Sequence, residues 1–238
     1  MKAALRLVAP LLFGAVSTLA SAAPVDPQYT RFGPLPAATY GGSGIPNNPS
    51  AVTEAGTLTL GLTAHQRYTG PNLANDGAGT YFANPGTSVS PSNVQGSTWN
   101  VGFYLNNSQG SLADSGYTFK LLYDFNTGVD TDESQLGIID LSSAFSAVPG
   151  ATWQDSQNLL FNFLSVPSPF VTPPPGSFNP FATGEYSFAL VAYDENNREF
   201  ARSAINVQVG SVPEPGVFAL MSLGAAGLVA ARRRKQKA

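Results

Sequence analysis

The feature that most constrains the fold is an alternation of apolar and polar residues with a period of two. It runs through 57–64, 98–105 and 117–125 and returns in a longer stretch at 186–209. Successive side chains of a β-strand point to opposite faces, so each stretch can cover a core with one face. Roughly seven such strands between residues 57 and 211 are typical of a β-sandwich with long loops. We therefore predict an all-β fold, an antiparallel β-sandwich of immunoglobulin-like or similar type.

The clearest unit is a predicted antiparallel hairpin at the end of this region. A strand that ends at Tyr193 and a return strand from Ala201 to Val209 flank a polar turn at 194–199. The side chains expected to face the core are Tyr186, Phe188, Leu190, Ala192, Ala201, Ser203, Ile205, Val207 and Val209. We also predict a short apolar strand at 159–164 and a proline-rich loop at 167–180, because proline cannot donate to a central strand ladder.

The N-terminus reads as a secretory signal peptide with a signal helix at 1–22. Lys2 and Arg6 precede an apolar run, and the small residues of 20–22 offer a cleavage site after Ala22. Residues 23–56 lack periodicity and are rich in proline and glycine, so we predict a flexible arm there. The sandwich domain is then expected to cover residues 57–211.

The C-terminus, residues 212–238, carries a second composite signal. Pro213, Glu214 and Pro215 lie in the motif 212–215, followed by a charge-free stretch at 216–231 and a basic tail at 232–238. This arrangement resembles the PEP-CTERM protein-sorting signal of Gram-negative bacteria. The resemblance implies that Pro213, Glu214 and Pro215 are recognised by exosortase, a membrane protease. It also implies a C-terminal transmembrane helix at 216–231 that anchors the chain transiently in the inner membrane.

Charge and composition exclude several classes of function. Residues 23–211 hold five basic and fourteen acidic side chains, a net charge of −9, although the whole chain carries only −3. Nucleic-acid binding needs a basic surface, so no nucleic-acid partner is expected. The absence of cysteine excludes disulfides and thiolate metal sites, and the single histidine, His65, excludes a multi-histidine metal site.

One acidic segment is a candidate calcium site. Oxygen-bearing side chains recur at Asp124, Asn126, Asp130 and Asp132, with a glycine between them. Calcium takes six to eight oxygen ligands, but the spacing does not match the loop of an EF-hand. The alternative is a solvated acidic loop in which aspartate and asparagine form turns. We expect no cofactor, with Ca²⁺ at these four residues as the alternative.

Catalytic patterns are weaker. No Gly-x-Ser-x-Gly motif occurs, and nothing in the sequence ties His65 to a nucleophile, although a triad can assemble from distant residues. Large aromatic side chains mostly pack in cores, which is our prediction for Trp99. Trp153 lies beside a polar segment and is the candidate for contact with a glycan.

We therefore predict an exported protein without catalytic activity that has a structural or adhesive role at the cell surface or in the extracellular polysaccharide matrix. Its expected partners are the secretion machinery, exosortase and extracellular polysaccharide, the last implied by the family resemblance. A calcium-dependent carbohydrate-binding module is the first alternative, and a secreted hydrolase is the second.

Overall fold

A computed structural model describes residues 23–41, 44–89, 94–146 and 150–210. The predicted signal helix, the sorting motif and the predicted C-terminal transmembrane helix lie outside these ranges. Across the described residues, no helix has the length and apolar character needed to cross a membrane.

The described chain is built from β-strands joined by turns and three short 3₁₀ helices, at Glu133–Gln135, Leu141–Ala144 and Asn162–Ser165. In chain order the strands are β1 (Arg31–Gly33), β2 (Ser50–Ala55), β3 (Leu58–Gln66), β4 (Ala74–Asn75), β5 (Thr80–Ala83), β6 (Thr87–Val89), β7 (Gln95–Ser97), β8 (Trp99–Asn107), β9 (Thr118–Tyr123), β10 (Gly137–Asp140), β11 (Thr152–Gln157), β12 (Val171–Thr172), β13 (Gly184–Tyr193) and β14 (Glu199–Val209).

Two sheets form the sandwich. The five-stranded sheet has the order β1-β2-β3-β8-β11, and the seven-stranded sheet has the order β12-β10-β9-β13-β14-β5-β4. Neighbouring strands are antiparallel except for β5 and β14, which run parallel. Strands β6 and β7 form a separate two-stranded ribbon. The predicted all-β sandwich is confirmed.

The core lies between the two sheets and follows the alternation in the sequence. Alternate residues of β3, β8, β9, β13 and β14 join one buried cluster. In the hairpin β13–β14, Phe188 is paired with Ile205 and Tyr186 with Val207, and all four side chains are buried. Each inward side chain of the hairpin lies on the predicted face, so both the hairpin and its register are confirmed.

The predicted flexible arm is instead part of the sandwich, which is a correction to the sequence prediction. Strands β1 and β2 lie within residues 23–56 and extend the five-stranded sheet. Residues between these strands cover the outer face of that sheet, where Leu35 and Ile45 are buried. These residues pack closely on the sheet because two of the sheet positions beneath them are glycines. A Cβ at Gly61 would lie 2.7 Å from Leu35 Cδ2, and a Cβ at Gly102 would lie 2.5 Å from Ile45 Cγ2.

The residues that precede β1 cover the outer face of the other sheet. Val25 packs in a second cluster with Leu122 and Val191, which point away from the main core. Pro24 forms an isolated bridge with Asp132, so the chain is held in place from its first described residues. Both sheets are therefore covered on their outer faces by segments without alternating sequence.

A second correction concerns residues 159–164, which were expected to form a strand. The segment turns at Asn158, whose Oδ1 accepts a hydrogen bond from the Leu160 N–H, and continues into the 3₁₀ helix Asn162–Ser165. The side chain of Asn158 competes with a strand ladder for backbone donors, and this favours the turn. The proline-rich region contributes only the edge strand β12, which ends before Pro173.

Candidate functional site

A pocket of about 180 Å³ opens at one end of the sandwich, where β3 ends and β8 begins. The pocket wall is formed by the residues between β1 and β2 (34–41 and 44–49, the covering segment), the turn after β3, strand β11 and the segment after β11. Its principal lining residues are Tyr40, His65, Arg67, Tyr68, Ser156 and Phe161.

Hydrogen-bonded polar side chains form the floor of this pocket, and the contacts of Asn158 determine which of their groups donate and which accept. Asn158 is fully buried, and its Oδ1 accepts hydrogen bonds from the backbone N–H groups of Ser97 and Leu160. The amide nitrogen of Asn158 must therefore donate, and it reaches Asn100 Oδ1 at 2.6 Å. This leaves the amide nitrogen of Asn100 to donate to Ser156 Oγ, 2.8 Å away.

The same reasoning assigns the proton on His65. Because Ser156 Oγ accepts from Asn100, its own proton is free to point to His65 Nε2, at a distance of 3.0 Å. Nδ1 then carries the ring hydrogen and donates it to the Gln66 carbonyl oxygen at 3.1 Å. Burial lowers the pKa of His65, and the hydrogen bond to Gln66 opposes this shift in part. The imidazole is therefore neutral at neutral pH, with Nε2 as an acceptor.

Arg67 is the charged group of the pocket, and it is 7% exposed. Among the described residues its side chain makes one hydrogen bond, from Nη1 to the Ser88 carbonyl oxygen at 3.4 Å, and no ion pair. The guanidinium carbon lies 4.5 Å from the centre of the Tyr68 ring and 5.8 Å from that of Phe161. Burial lowers the pKa of Arg67, but an arginine remains charged at physiological pH.

Aromatic side chains form the rim of the pocket. Tyr40 and Tyr68 are 51% and 44% exposed, and the Tyr40 hydroxyl donates to the Tyr68 carbonyl oxygen at 2.9 Å. The Tyr40 ring lies over Gly70, where any Cβ would collide with it. Tyr68 has a φ of 65°, a left-handed conformation that is unfavourable for a residue with a large side chain. In this conformation the Tyr68 ring lies against the Arg67 guanidinium.

The four predicted calcium ligands lie in different local environments. Asp124 is 1% exposed, and burial raises the pKa of its carboxyl group. Asn126 and Asp132 use their side-chain oxygens to accept hydrogen bonds from the backbone of their own turns. Asp130 lies on an exposed turn with a φ of 57°. No group of three or more histidine or acidic side chains in the described part of the chain could hold a metal ion.

The two tryptophans both pack toward the core. Trp99 is 1% exposed and contacts the rings of Tyr186 and Phe188, as expected. Trp153 is half-buried and lies edge-on to Phe103, with ring centres 5.2 Å apart. Its position on the inner face of β11 leaves only part of the ring at the surface.

Sequence reasoning missed Arg67, Tyr40, Tyr68 and Phe161. Arg67 and Tyr68 follow a predicted strand directly, but nothing near them in the sequence indicates that the guanidinium is buried. The guanidinium can lie in its buried position because residue 96 is a glycine, where a Cβ would lie 1.4 Å from Arg67 Nη1. The contact of His65 with Ser156 could not be predicted either, because the two residues lie far apart in the chain.

Comparison with known families identifies the C-terminal signal. The family model described as the PEP-CTERM protein-sorting motif matches residues 211–235. The chain thus carries the sorting signal of an exosortase substrate, as predicted, and the motif implies a protein that is exported and sorted by an exosortase at the membrane. A search of curated proteins found no match to the chain.

Proposed function

We propose that the protein is a structural or adhesive component of the cell surface or the polysaccharide matrix, without catalytic activity of its own. Its sorting motif supports delivery to the cell envelope. The proposed adhesive role is supported by one observation at the rim of the pocket. Tyr40 and Tyr68 expose about half of their surface beside a floor of oriented amide and hydroxyl groups. Aromatic faces pack well on the apolar faces of sugar rings, and such polar groups bond sugar hydroxyls.

The pair formed by Ser156 and His65 is the feature that a hydrolase would need, and its surroundings favour a hydrogen-bonding role. In serine hydrolases a carboxylate orients the histidine and stabilises the imidazolium that forms when it takes the serine proton. Here His65 Nδ1 faces a backbone carbonyl and the side chain is 3% exposed. Among the described residues neither ring nitrogen of His65 bonds a carboxylate, so a positive charge formed there would be buried without one, which is costly.

Sedimentation of the purified full-length protein with extracellular polysaccharide from the producing cells tests the adhesive function. We expect the wild type to co-sediment and Tyr68→Asn to bind at least tenfold more weakly. Asparagine tolerates a positive φ, so this change removes the ring with little backbone strain. The matched control is Phe181→Asn, at a residue that is 66% exposed and does not line the pocket. Equal sedimentation of the two variants would show that this pocket does not carry adhesion.

A serine-directed fluorophosphonate tests the absence of catalysis. We expect Ser156 to remain unlabelled under conditions that label a reference serine esterase completely. Modification of Ser156 in the wild type, and its loss in His65→Gln, would contradict the non-catalytic proposal.

A further inference from the structure

Arg67 differs from the other arginines of the described domain in having no carboxylate partner. The other three pair as follows: Arg31 with Glu54 at 3.0 Å, Arg198 with Asp194 at 2.8 Å and Arg202 with Glu133 at 2.9 Å. Arg31 and Arg198 lie on the surface, where a charge is solvated by water and needs no partner. Arg67 is 93% buried and lacks the partner that a charge in such a position normally requires.

The guanidinium also has unused hydrogen-bond donors. Of its five N–H groups, one bonds a protein acceptor in the described chain, the Ser88 carbonyl oxygen. Arg67 lines both the 180 Å³ pocket and an adjoining cavity of about 430 Å³. The absence of a side chain at Gly96 lets the guanidinium lie between these two spaces. Arg67 therefore borders space that a ligand can enter.

We propose that Arg67 binds the carboxylate of an acidic sugar, so that the ligand of the pocket is a carboxylated polysaccharide. This inference rests on the proposed adhesive function and names its ligand class. The Tyr68 ring lies against one face of the guanidinium, which leaves the edge of the planar group for two parallel N–H···O bonds. A carboxylate matches that geometry. The exposed rings of Tyr68 and Tyr40 would then pack on the sugar ring that carries it.

Binding of polygalacturonate to the full-length protein tests the inference, with the same polymer after reduction of its carboxyl groups to primary alcohols as the reference. We expect the wild type to bind the acidic polymer at least tenfold more tightly than the reduced one, a difference of about 1.4 kcal/mol. Arg67→Gln should abolish this preference. The control, Arg198→Gln, changes the net charge equally at a side chain that is 74% exposed and should keep the preference.

A second variant covers the case in which Arg67→Gln does not fold. Gly96→Ala places a methyl group where the guanidinium now lies and should cause the same loss of preference. The melting midpoint of each variant without polymer shows whether it is folded.

The outcomes separate this inference from the proposed function. Equal wild-type affinity for both polymers, with dependence on Tyr68, would overturn the carboxylate inference and leave the adhesive function standing. Equal preference in Arg67→Gln and Arg198→Gln would also overturn the inference. Inhibition by inorganic sulfate as strong as that by free galacturonate would show a general oxyanion site and reject the sugar ligand. Binding of neither polymer by the wild type would overturn the inference as well.

Discussion

Replacing Gly102 by alanine tests whether the covering segment is a structural layer of the domain. Gly102 lies on the outer face of β8, beneath Ile45. A Cβ there would lie 2.5 Å from Ile45 Cγ2 and 3.2 Å from Thr63 Cγ2. Ile45 is completely buried and cannot swing into solvent without losing its packing.

The expected cost follows from two opposing contributions. Overpacking of a well-packed site typically costs about 1–3 kcal/mol. Alanine is favoured over glycine within a strand by about 0.5–1 kcal/mol, which offsets part of this. We expect a net loss of about 1–2 kcal/mol in the free energy of unfolding. The matched control is Gly33→Ala, since a Cβ at Gly33 meets nothing within 4 Å. That variant should gain up to about 1 kcal/mol.

Urea denaturation followed by tryptophan fluorescence measures both variants, because Trp99 is buried between the sheets and reports on their separation. A double variant, Gly102→Ala with Ile45→Ala, adds a test of the contact itself. Removing the Ile45 side chain should relieve the collision, so the two changes should cost less together than the sum of their separate costs. If Gly102→Ala and Gly33→Ala shifted the unfolding free energy equally, or if the two changes at Gly102 and Ile45 were additive, the segment would not be packed as described.

Three further predictions concern the hairpin, the buried histidine and the sorting motif. Ile205→Ala should lower the free energy of unfolding by about 2–5 kcal/mol. The control Asn197→Gly, at a turn residue with a φ of 57°, should change it little. Similar losses in both variants would contradict the register. Because burial lowers the pKa of His65 below its unfolded value of about 6.5, the unfolded state binds more protons. The stability of the wild type should therefore fall as the pH drops through 6.5, and that of His65→Gln should fall less steeply. Identical pH profiles of the melting midpoint in wild type and His65→Gln would refute this. Alanines in place of residues 213–215 should leave export intact but prevent C-terminal processing, so a mature mass unchanged from wild type would show that the motif is not used.

The strands could be predicted because their signal is local. In β3, β8, β9 and the β13–β14 hairpin, every second residue is apolar, and burial on one side follows from the geometry of an extended chain. The register of the hairpin followed from the same pattern, since a shift by one residue would expose the whole inner face.

The covering segment and the pocket could not be predicted because their causes lie elsewhere in the chain. Leu35 and Ile45 are buried only because Gly61 and Gly102 leave room above the sheet. In the same way, the environment of Arg67 depends on Gly96, and the orientation of Ser156 depends on Asn100. Such contacts have no periodic signature in sequence.

The parallel pair β5–β14 determines the end of the sandwich at which the chain continues toward the sorting motif. Val209 at the end of β14 is paired with Ala83 of β5. The residue after Ala83, Asn84, accepts a hydrogen bond from the Thr98 hydroxyl through its carbonyl oxygen. The carbonyl oxygen of Thr98 in turn accepts a hydrogen bond from the Arg67 backbone N–H. The chain therefore leaves the sandwich at the end that holds the pocket. Three steps of at most about 3.6 Å separate Gly210 from Pro213, so Pro213 cannot lie more than about 11 Å from the end of the sandwich at Gly210.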